Sequence, residues 1–65
     1  MKGSNNLPII TIQLFPGRTK EMKERAALKI TKIIVEELKA KKEDVLIIYQ
    51  DMEKENWFKD GQGYQ

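Results

Sequence analysis

The stretch Pro8–Thr19 reads PIITIQLFPGRT and predicts a β-strand that stops abruptly before a helix. Apolar and polar residues alternate through it, and this spacing is typical of a strand with two different faces. One face is predicted to carry Ile10, Ile12 and Leu14, and the other Ile9, Thr11 and Gln13. Proline has no backbone N–H, so it is tolerated where a strand begins. The Pro-Gly pair at 16–17 ends the strand, which we predict over residues 7–15.

A long helix and a second strand follow. Apolar residues at helical spacing predict the helix over residues 19–40, with Thr19 as its N-cap. The apolar face of this helix is predicted to comprise Met22, Ala26, Ala27, Ile30, Ile33, Ile34, Val35 and Leu38. The run Val45–Tyr49 reads VLIIY and predicts a strand buried on both faces, as parallel strands usually are. Together these elements predict a βαβ unit with a right-handed crossover.

The C-terminal part of the sequence predicts a hairpin. Residues 50–56 are polar and are expected to carry the chain out of the sheet. Asp60-Gly61 then stands between short flanks within 57–64, which is a strong hairpin signal. Because an isolated hairpin is not stable, it should pack against another part of the molecule, and a second subunit is expected. The whole pattern predicts one α+β domain.

Composition limits what such a domain can be. The chain has 65 residues, 40% of them apolar, and contains neither cysteine nor histidine. This excludes disulfides, thiolate zinc sites and imidazole catalysis. A domain of this length buries only about 60% of its unfolded surface, so its own core is marginal. Self-association is the remaining way to stabilise it.

Charge and hydropathy exclude several partners. No apolar run approaches the roughly 20 residues of a membrane span, and residues 1–6 lack the apolar segment of a secretory signal, so a cytoplasmic protein is expected. A net charge of +2 does not indicate nucleic-acid binding, and the lysines of 39–42 are expected to be a solvated helix end. Asp51, Glu53 and Glu55 make a poor metal site, and no cofactor is expected.

Three short segments carry a resemblance to a known family. They are PIITI at Pro8–Ile12, GRT at Gly17–Thr19, and MEKENW at Met52–Trp57 with Gly61 after it. In this order around a βαβ unit, the chain resembles the tautomerase superfamily, specifically the short 4-oxalocrotonate tautomerase type. The resemblance implies that two units dimerise into a four-stranded sheet with two helices, and that three dimers form a hexamer.

The resemblance also implies a chemistry. In the family the mature chain begins at a proline whose secondary amine moves a proton, converting enol to keto forms or shifting a double bond. Pro8 matches this base, and Arg18 matches the arginine that holds the carboxylate of a small α-keto or enol acid. A guanidinium suits that role because it offers a planar fork of donors and stays charged. Trp57 matches an aromatic residue that keeps the pocket dry. Its own chemistry favours packing in a subunit interface over this role.

Two departures from the family leave two functions open. Residues 1–7, a leader or tag-like extension before the tautomerase-like domain of residues 8–65, make Pro8 an internal imide without usable basicity. Leu46 stands where the family often has a second arginine. The chain is therefore predicted to be a tautomerase-like isomerase if the Pro8 amine is free. The alternative is a non-catalytic oligomeric or small-acid-binding relative in which Pro8 merely begins an edge strand.

Overall fold

The computed structural model describes residues 7–64, which form a parallel strand pair, one helix and a small hairpin. In chain order the elements are β1 (Ile9–Leu14), α1 (Lys20–Leu38), β2 (Leu46–Asp51), β3 (Phe58–Lys59) and β4 (Gln62–Gly63). Single 3₁₀ turns at Lys42–Asp44 and Lys54–Asn56 precede β2 and β3. The predicted βαβ unit with a C-terminal hairpin is confirmed. No helix among the described residues is both long and apolar enough to cross a membrane.

The sheet has one covered face and one open face. β1 and β2 pair in parallel, from Ile9 opposite Leu46 to Leu14 opposite Asp51. The covered face carries the half-buried residues Ile10, Ile12, Leu14, Ile47 and Tyr49, so the predicted alternation in β1 is confirmed. The prediction that strand 2 is buried on both faces is wrong for the single chain, where Leu46 and Ile48 are 45% and 39% exposed. Residues 7–64 contain one α-helix, and that helix covers only the face that carries Ile47 and Tyr49.

The ends of α1 have identifiable causes. The Thr19 hydroxyl accepts a hydrogen bond from the Met22 N–H at 3.1 Å, which confirms the predicted N-cap. Lys39 follows the last helical residue in the left-handed conformation, with φ of 59°, and so ends the helix before the predicted position. The Lys23 ammonium contacts both carboxylate oxygens of Asp51 at 3.0 and 2.9 Å, which ties the first turns of α1 to the end of β2.

The stripe of α1 that the sheet covers is narrower than the apolar face predicted from the sequence. Its half-buried residues are Lys23, Ala26, Ala27, Ile30, Thr31, Ile34 and Val35. Met22, Ile33 and Leu38 were predicted to belong to the apolar face, but they are exposed in the single chain, Ile33 by 56%. A sheet of two strands is too narrow to cover more than one stripe of a helix. The uncovered apolar residues are therefore available to other copies of the chain.

None of the residues 7–64 is fully buried. The radius of gyration is 15.3 Å, against about 11 Å expected for a compact chain of this length. The smallest dimension is 15 Å, which is the thickness of one helix layer on one sheet layer. This flat shape has no buried interior among the described residues, as expected for a short chain whose own core is marginal.

The hairpin forms at the predicted turn. Phe58 pairs with Gly63 and Lys59 with Gln62, in antiparallel register. The two turn residues between them have positive φ, 56° at Asp60 and 76° at Gly61, as a two-residue turn of this hand requires.

An aromatic cluster of Phe15, Trp57 and Tyr64 fixes the hairpin to the sheet. The Phe15 and Trp57 rings meet edge to face, with centroids 4.6 Å apart and planes at 65°. The Tyr64 ring lies 5.6 Å from Phe15 and 6.1 Å from Trp57. Because β3 and β4 are two residues each, these ring contacts are the main tertiary support that the described residues give the hairpin.

The cap makes a first testable contribution to stability. Thr19→Ala should lower the free energy of unfolding by about 1 kcal/mol, because the Met22 N–H loses its acceptor. Thr19→Ser keeps a hydroxyl and is the matched control. Its free energy of unfolding should change by only about a few tenths of a kcal/mol. Urea unfolding at one fixed chain concentration measures both, since association affects stability. An equal loss in both variants would contradict the role of the hydroxyl.

The aromatic cluster can be followed through Trp57, the only tryptophan in the chain. Phe15→Ala should shift its fluorescence emission to longer wavelength and reduce stability by about 2 kcal/mol, less than for a fully buried ring. Phe58→Ala is the control, because Phe58 belongs to the same hairpin but is 68% exposed and lies outside the cluster. An unshifted emission in Phe15→Ala would show that the cluster does not hold Trp57.

Candidate active site

Pro8 lies at the end of the sheet where both strands begin. It directly precedes β1, is half-buried, and its carbonyl accepts a hydrogen bond from the Leu46 N–H at 3.0 Å. The side chains of Leu7, Ile9 and Leu46 are exposed around it. These side chains make the surroundings of Pro8 apolar. In this sequence the Pro8 nitrogen is joined to Leu7 and is therefore an amide nitrogen.

Trp57 lies at the opposite end of the sheet, where β1 ends. Its indole N–H donates to the Met52 carbonyl at 3.2 Å, and its own carbonyl accepts from the Tyr64 N–H at 3.0 Å. The Met52 N–H in turn donates to the Leu14 carbonyl at 2.8 Å. These bonds connect the end of β1, the segment after β2 and the hairpin. Trp57 therefore sits in a fixed position and orientation rather than on a free loop.

Arg18 belongs to the same end of the sheet. It follows Phe15 by three residues, between Gly17 and the helix cap Thr19. Gly17 has φ of 127°, a conformation that side chains other than glycine's rarely allow, so this turn sets where the Arg18 backbone points. The Arg18 side chain is exposed, and no described residue forms an ion pair or hydrogen bond with its guanidinium. An exposed guanidinium of this kind can bind an anion.

Within one chain the predicted site residues do not come together. Phe15 follows Pro8 by seven residues along an extended strand, which corresponds to about 23 Å. Arg18 and Trp57 share the Phe15 end, and Pro8 stands alone at the other. The roles of Pro8, Arg18 and Trp57 therefore stay predictions. The separation means that a single chain does not bring Pro8 to Arg18 and Trp57.

Two residues near Trp57 were not predicted as part of a site. Phe15 was treated as the end of a strand, and Tyr64 was given no role. The hairpin register could have found Tyr64, because a turn centred between Asp60 and Gly61 pairs residue 57 with residue 64. The contact between Phe15 and Trp57 depends on the path of the chain after β2, and no local sequence pattern contains that information.

Among residues 7–64, no group of three acidic, histidine or cysteine side chains could hold a metal ion. A groove lies elsewhere, lined by α1 and the segment that precedes β2. The candidate site thus consists of an apolar proline end and an arginine–aromatic end.

Similar structures share this arrangement of elements. YwhB, a homologue of 4-oxalocrotonate tautomerase, superposes with a TM-score of 0.80 at 27% identity, over 86% of this chain and 92% of that one. A 4-oxalocrotonate tautomerase isozyme structure from Methylibium petroleiphilum superposes with a TM-score of 0.78 at 34% identity, over 86% and 88%. A trans-3-chloroacrylic acid dehalogenase structure, at 21% identity and a TM-score of 0.76, shares the fold.

Similar sequences agree with the structures. A protein of Listeria monocytogenes serotype 4b named probable tautomerase is 33% identical over 51 residues, which are 78% of this chain and 84% of the relative. One from Streptococcus pyogenes serotype M3 is 32% identical over 56 residues, 86% and 92% of the two chains. The family described as tautomerase enzyme matches residues 8–64. With its βαβ unit, its hairpin and this match over nearly all described residues, the chain belongs to the tautomerase family, of the 4-oxalocrotonate tautomerase type.

Proposed function

We propose that this chain is an isomerase that transfers a proton between the enol and keto forms of a small α-keto or enol acid. Pro8, as a free secondary amine, is the base; Arg18 holds the carboxylate; and Trp57 closes the pocket. Membership of the tautomerase family supports isomerase-type activity. One observation supports these residue roles. Pro8 lies where β1 begins, and Arg18 and Trp57 lie where it ends.

Two copies can bring these halves together. Among the described residues β1 pairs only with β2, so its other edge is free to pair. In an antiparallel pair of β1 strands that aligns Ile9 with Leu14, Pro8 stands opposite Phe15 of the second copy, about 5 Å away. Each Pro8 then meets the aromatic cluster and Arg18 of the other copy. A two-fold axis creates two such sites in one four-stranded sheet.

The chemistry needs no co-reactant. The Arg18 guanidinium donates two parallel hydrogen bonds to the substrate carboxylate, which fixes the orientation of the acid. The lone pair of the Pro8 amine takes the enol O–H proton as the C=O bond forms. The resulting ammonium returns the proton to the adjacent carbon, so the amine is regenerated. The aromatic cluster excludes water and thereby strengthens these charge interactions.

The alternative function is a non-catalytic, oligomeric or small-acid-binding relative. The bond from Leu7 to Pro8 favours it, since an acylated nitrogen has no lone pair available for a proton. Leu46, in place of a second arginine, favours it as well, because the sheet near Pro8 then offers no cation for the far end of a diacid. In either case we infer a hexamer of three dimers, acting in the cytoplasm. The uncharged open faces of the sheets would be enclosed inside it.

Release of the Pro8 nitrogen separates the two functions. A chain expressed as Met-Pro8, from which methionine is removed, should ketonise an enolpyruvate about 10²- to 10⁴-fold faster than a chain that keeps residues 1–7. Intact mass establishes which first residue each sample has. A trimmed chain with Pro8→Ala is the control and should lose most of the gain. Equal rates for trimmed and full chains would favour the non-catalytic relative.

The role of Arg18 predicts a selective loss. In the trimmed chain Arg18→Ala should reduce kcat/KM for a carboxylate substrate about 10- to 100-fold, because a charged hydrogen-bonded pair is removed. Arg25→Ala is the matched control, since Arg25 is the other arginine and is exposed on α1. Its kinetic constants should not change. An equal loss in the two variants would remove Arg18 from the site.

A further inference from the structure

Arg18 lies in a stretch that contacts the rest of the chain at few points. Among residues 16–25 every residue is exposed except Lys23, which is half-buried. The half-buried apolar residues of α1 begin only at Ala26, about one turn later. The turn that carries Arg18 is therefore held by the aromatic contacts of Phe15 on one side and by Lys23 on the other.

Lys23 makes polar contacts with β2 through both its side chain and its backbone. Its ammonium lies 3.0 and 2.9 Å from the two carboxylate oxygens of Asp51, and 5.6 Å from the centre of the Tyr49 ring. The Tyr49 hydroxyl donates a hydrogen bond to the Lys23 carbonyl at 3.1 Å. Within the described part of the chain, no other residue of α1 forms a hydrogen bond with the strand pair. We call Lys23, Tyr49 and Asp51 the helix latch.

The helix latch connects the turn that carries Arg18 to the segment that carries Trp57. On the helix side, the Lys23 N–H donates to the Thr19 carbonyl at 3.1 Å, and Thr19 directly follows Arg18. On the sheet side, the latch carboxylate belongs to the residue before Met52, and the Met52 carbonyl accepts the Trp57 indole N–H at 3.2 Å. Hydrogen bonds are directional, so this series of contacts fixes both the distance and the orientation between the two segments.

We propose that Lys23 and Asp51 are positioning residues of the candidate site, which set the place of Arg18 relative to Trp57. The inference rests on the proposed role of Arg18 in holding the substrate carboxylate. With the helix latch intact, the guanidinium is held ready for the acid. With the latch broken, Arg18 is still charged, but its turn is anchored only at Phe15. Binding the acid then costs the entropy of ordering that turn.

Apolar packing does not replace the helix latch. Hydrophobic contact is non-directional, so the stripe that begins at Ala26 holds α1 against the sheet without fixing where its first turn lies. The Lys23–Asp51 pair is partly exposed, and pairs of this kind add little to stability. Removing it should therefore shift the first turn without unfolding the chain. Lys20 offers a matched control from the same turn, since its ion pair, to Glu24 at 4.0 Å, stays within the helix.

Kinetics of the chain that begins at Pro8 separate positioning from stability. Lys23→Met and Asp51→Ala should each raise KM for an enolpyruvate about 3- to 10-fold with little change in kcat, because uniform binding of the acid is weakened. A purely structural role would lower kcat, through a smaller folded fraction, and leave KM unchanged. A purely electrostatic role would lower KM in Asp51→Ala, since a cation is freed there.

Two further variants complete the kinetic test. Lys23→Arg should recover most of the loss, because a guanidinium can bridge the same carboxylate. Lys20→Met should leave both kinetic constants unchanged. In an Arg18→Ala chain, Lys23→Met should cause no further rise in KM, since the residue that it positions is gone. A lower KM in Asp51→Ala, or full and independent effects of Arg18→Ala and Lys23→Met, would overturn the proposal.

A distance measurement in the full chain tests the helix latch without any catalytic activity. The chain has one tryptophan and no cysteine, so Arg18→Cys can carry a single fluorescent acceptor for Trp57. Labelled chains are diluted in unlabelled Trp57→Phe chains, which removes energy transfer between copies. Lys23→Met and Asp51→Ala should each broaden the distribution of distances between Trp57 and the label, and Lys20→Met should not. An unchanged distribution in both latch variants would overturn the proposal.

The two measurements distinguish the helix latch from the proposed function. Absence of turnover in the wild-type chain that begins at Pro8 would overturn the proposed function, and the distance distribution would still decide the latch. Normal turnover with KM unaffected by Lys23→Met and Asp51→Ala would overturn the latch and leave the proposed function standing.

Discussion

One helix covering one face of a two-stranded sheet is the constraint from which the rest of this structure follows. The parallel pair leaves its other face and both outer edges without a partner among the described residues. Hydrophobic stabilisation scales with apolar area removed from water, and here little is removed until copies meet. Folding and assembly are thus expected to be one process, with a stability that depends on chain concentration.

The same constraint explains why the candidate site is divided. A short βαβ unit places its strand beginnings and its strand ends far apart, and the chain is too small to bring them back together. Pro8 belongs to one end, and Arg18 with the aromatic cluster belongs to the other. In a larger enzyme both halves would come from one chain. In the proposed two-fold pair, symmetry brings the two halves together, so we expect the proposed activity only from an assembly.

Local patterns predicted local structure well. Alternation located β1, Thr19 located the start of α1, and Asp60-Gly61 located the hairpin, because each depends on neighbouring residues alone. The exposure of Leu46 was not predictable, since it depends on how many layers cover the sheet. The meeting of Phe15 with Trp57 depends on the path of the chain after β2. Pro8 and Arg18 were recognisable as candidates, and the strand predicted between them already implied that they lie a strand length apart.

The length of β1 has a consequence for how this protein can change over evolutionary time. The strand is six residues long, and in a two-fold pair it spaces the two halves of both sites at once. Inserting one residue would turn every following side chain to the other face of the sheet, and symmetry would repeat the error in the second copy. Substitutions along β1 alter one contact at a time. We therefore expect descendants of this sequence to vary in the composition of that strand while its residue count is preserved.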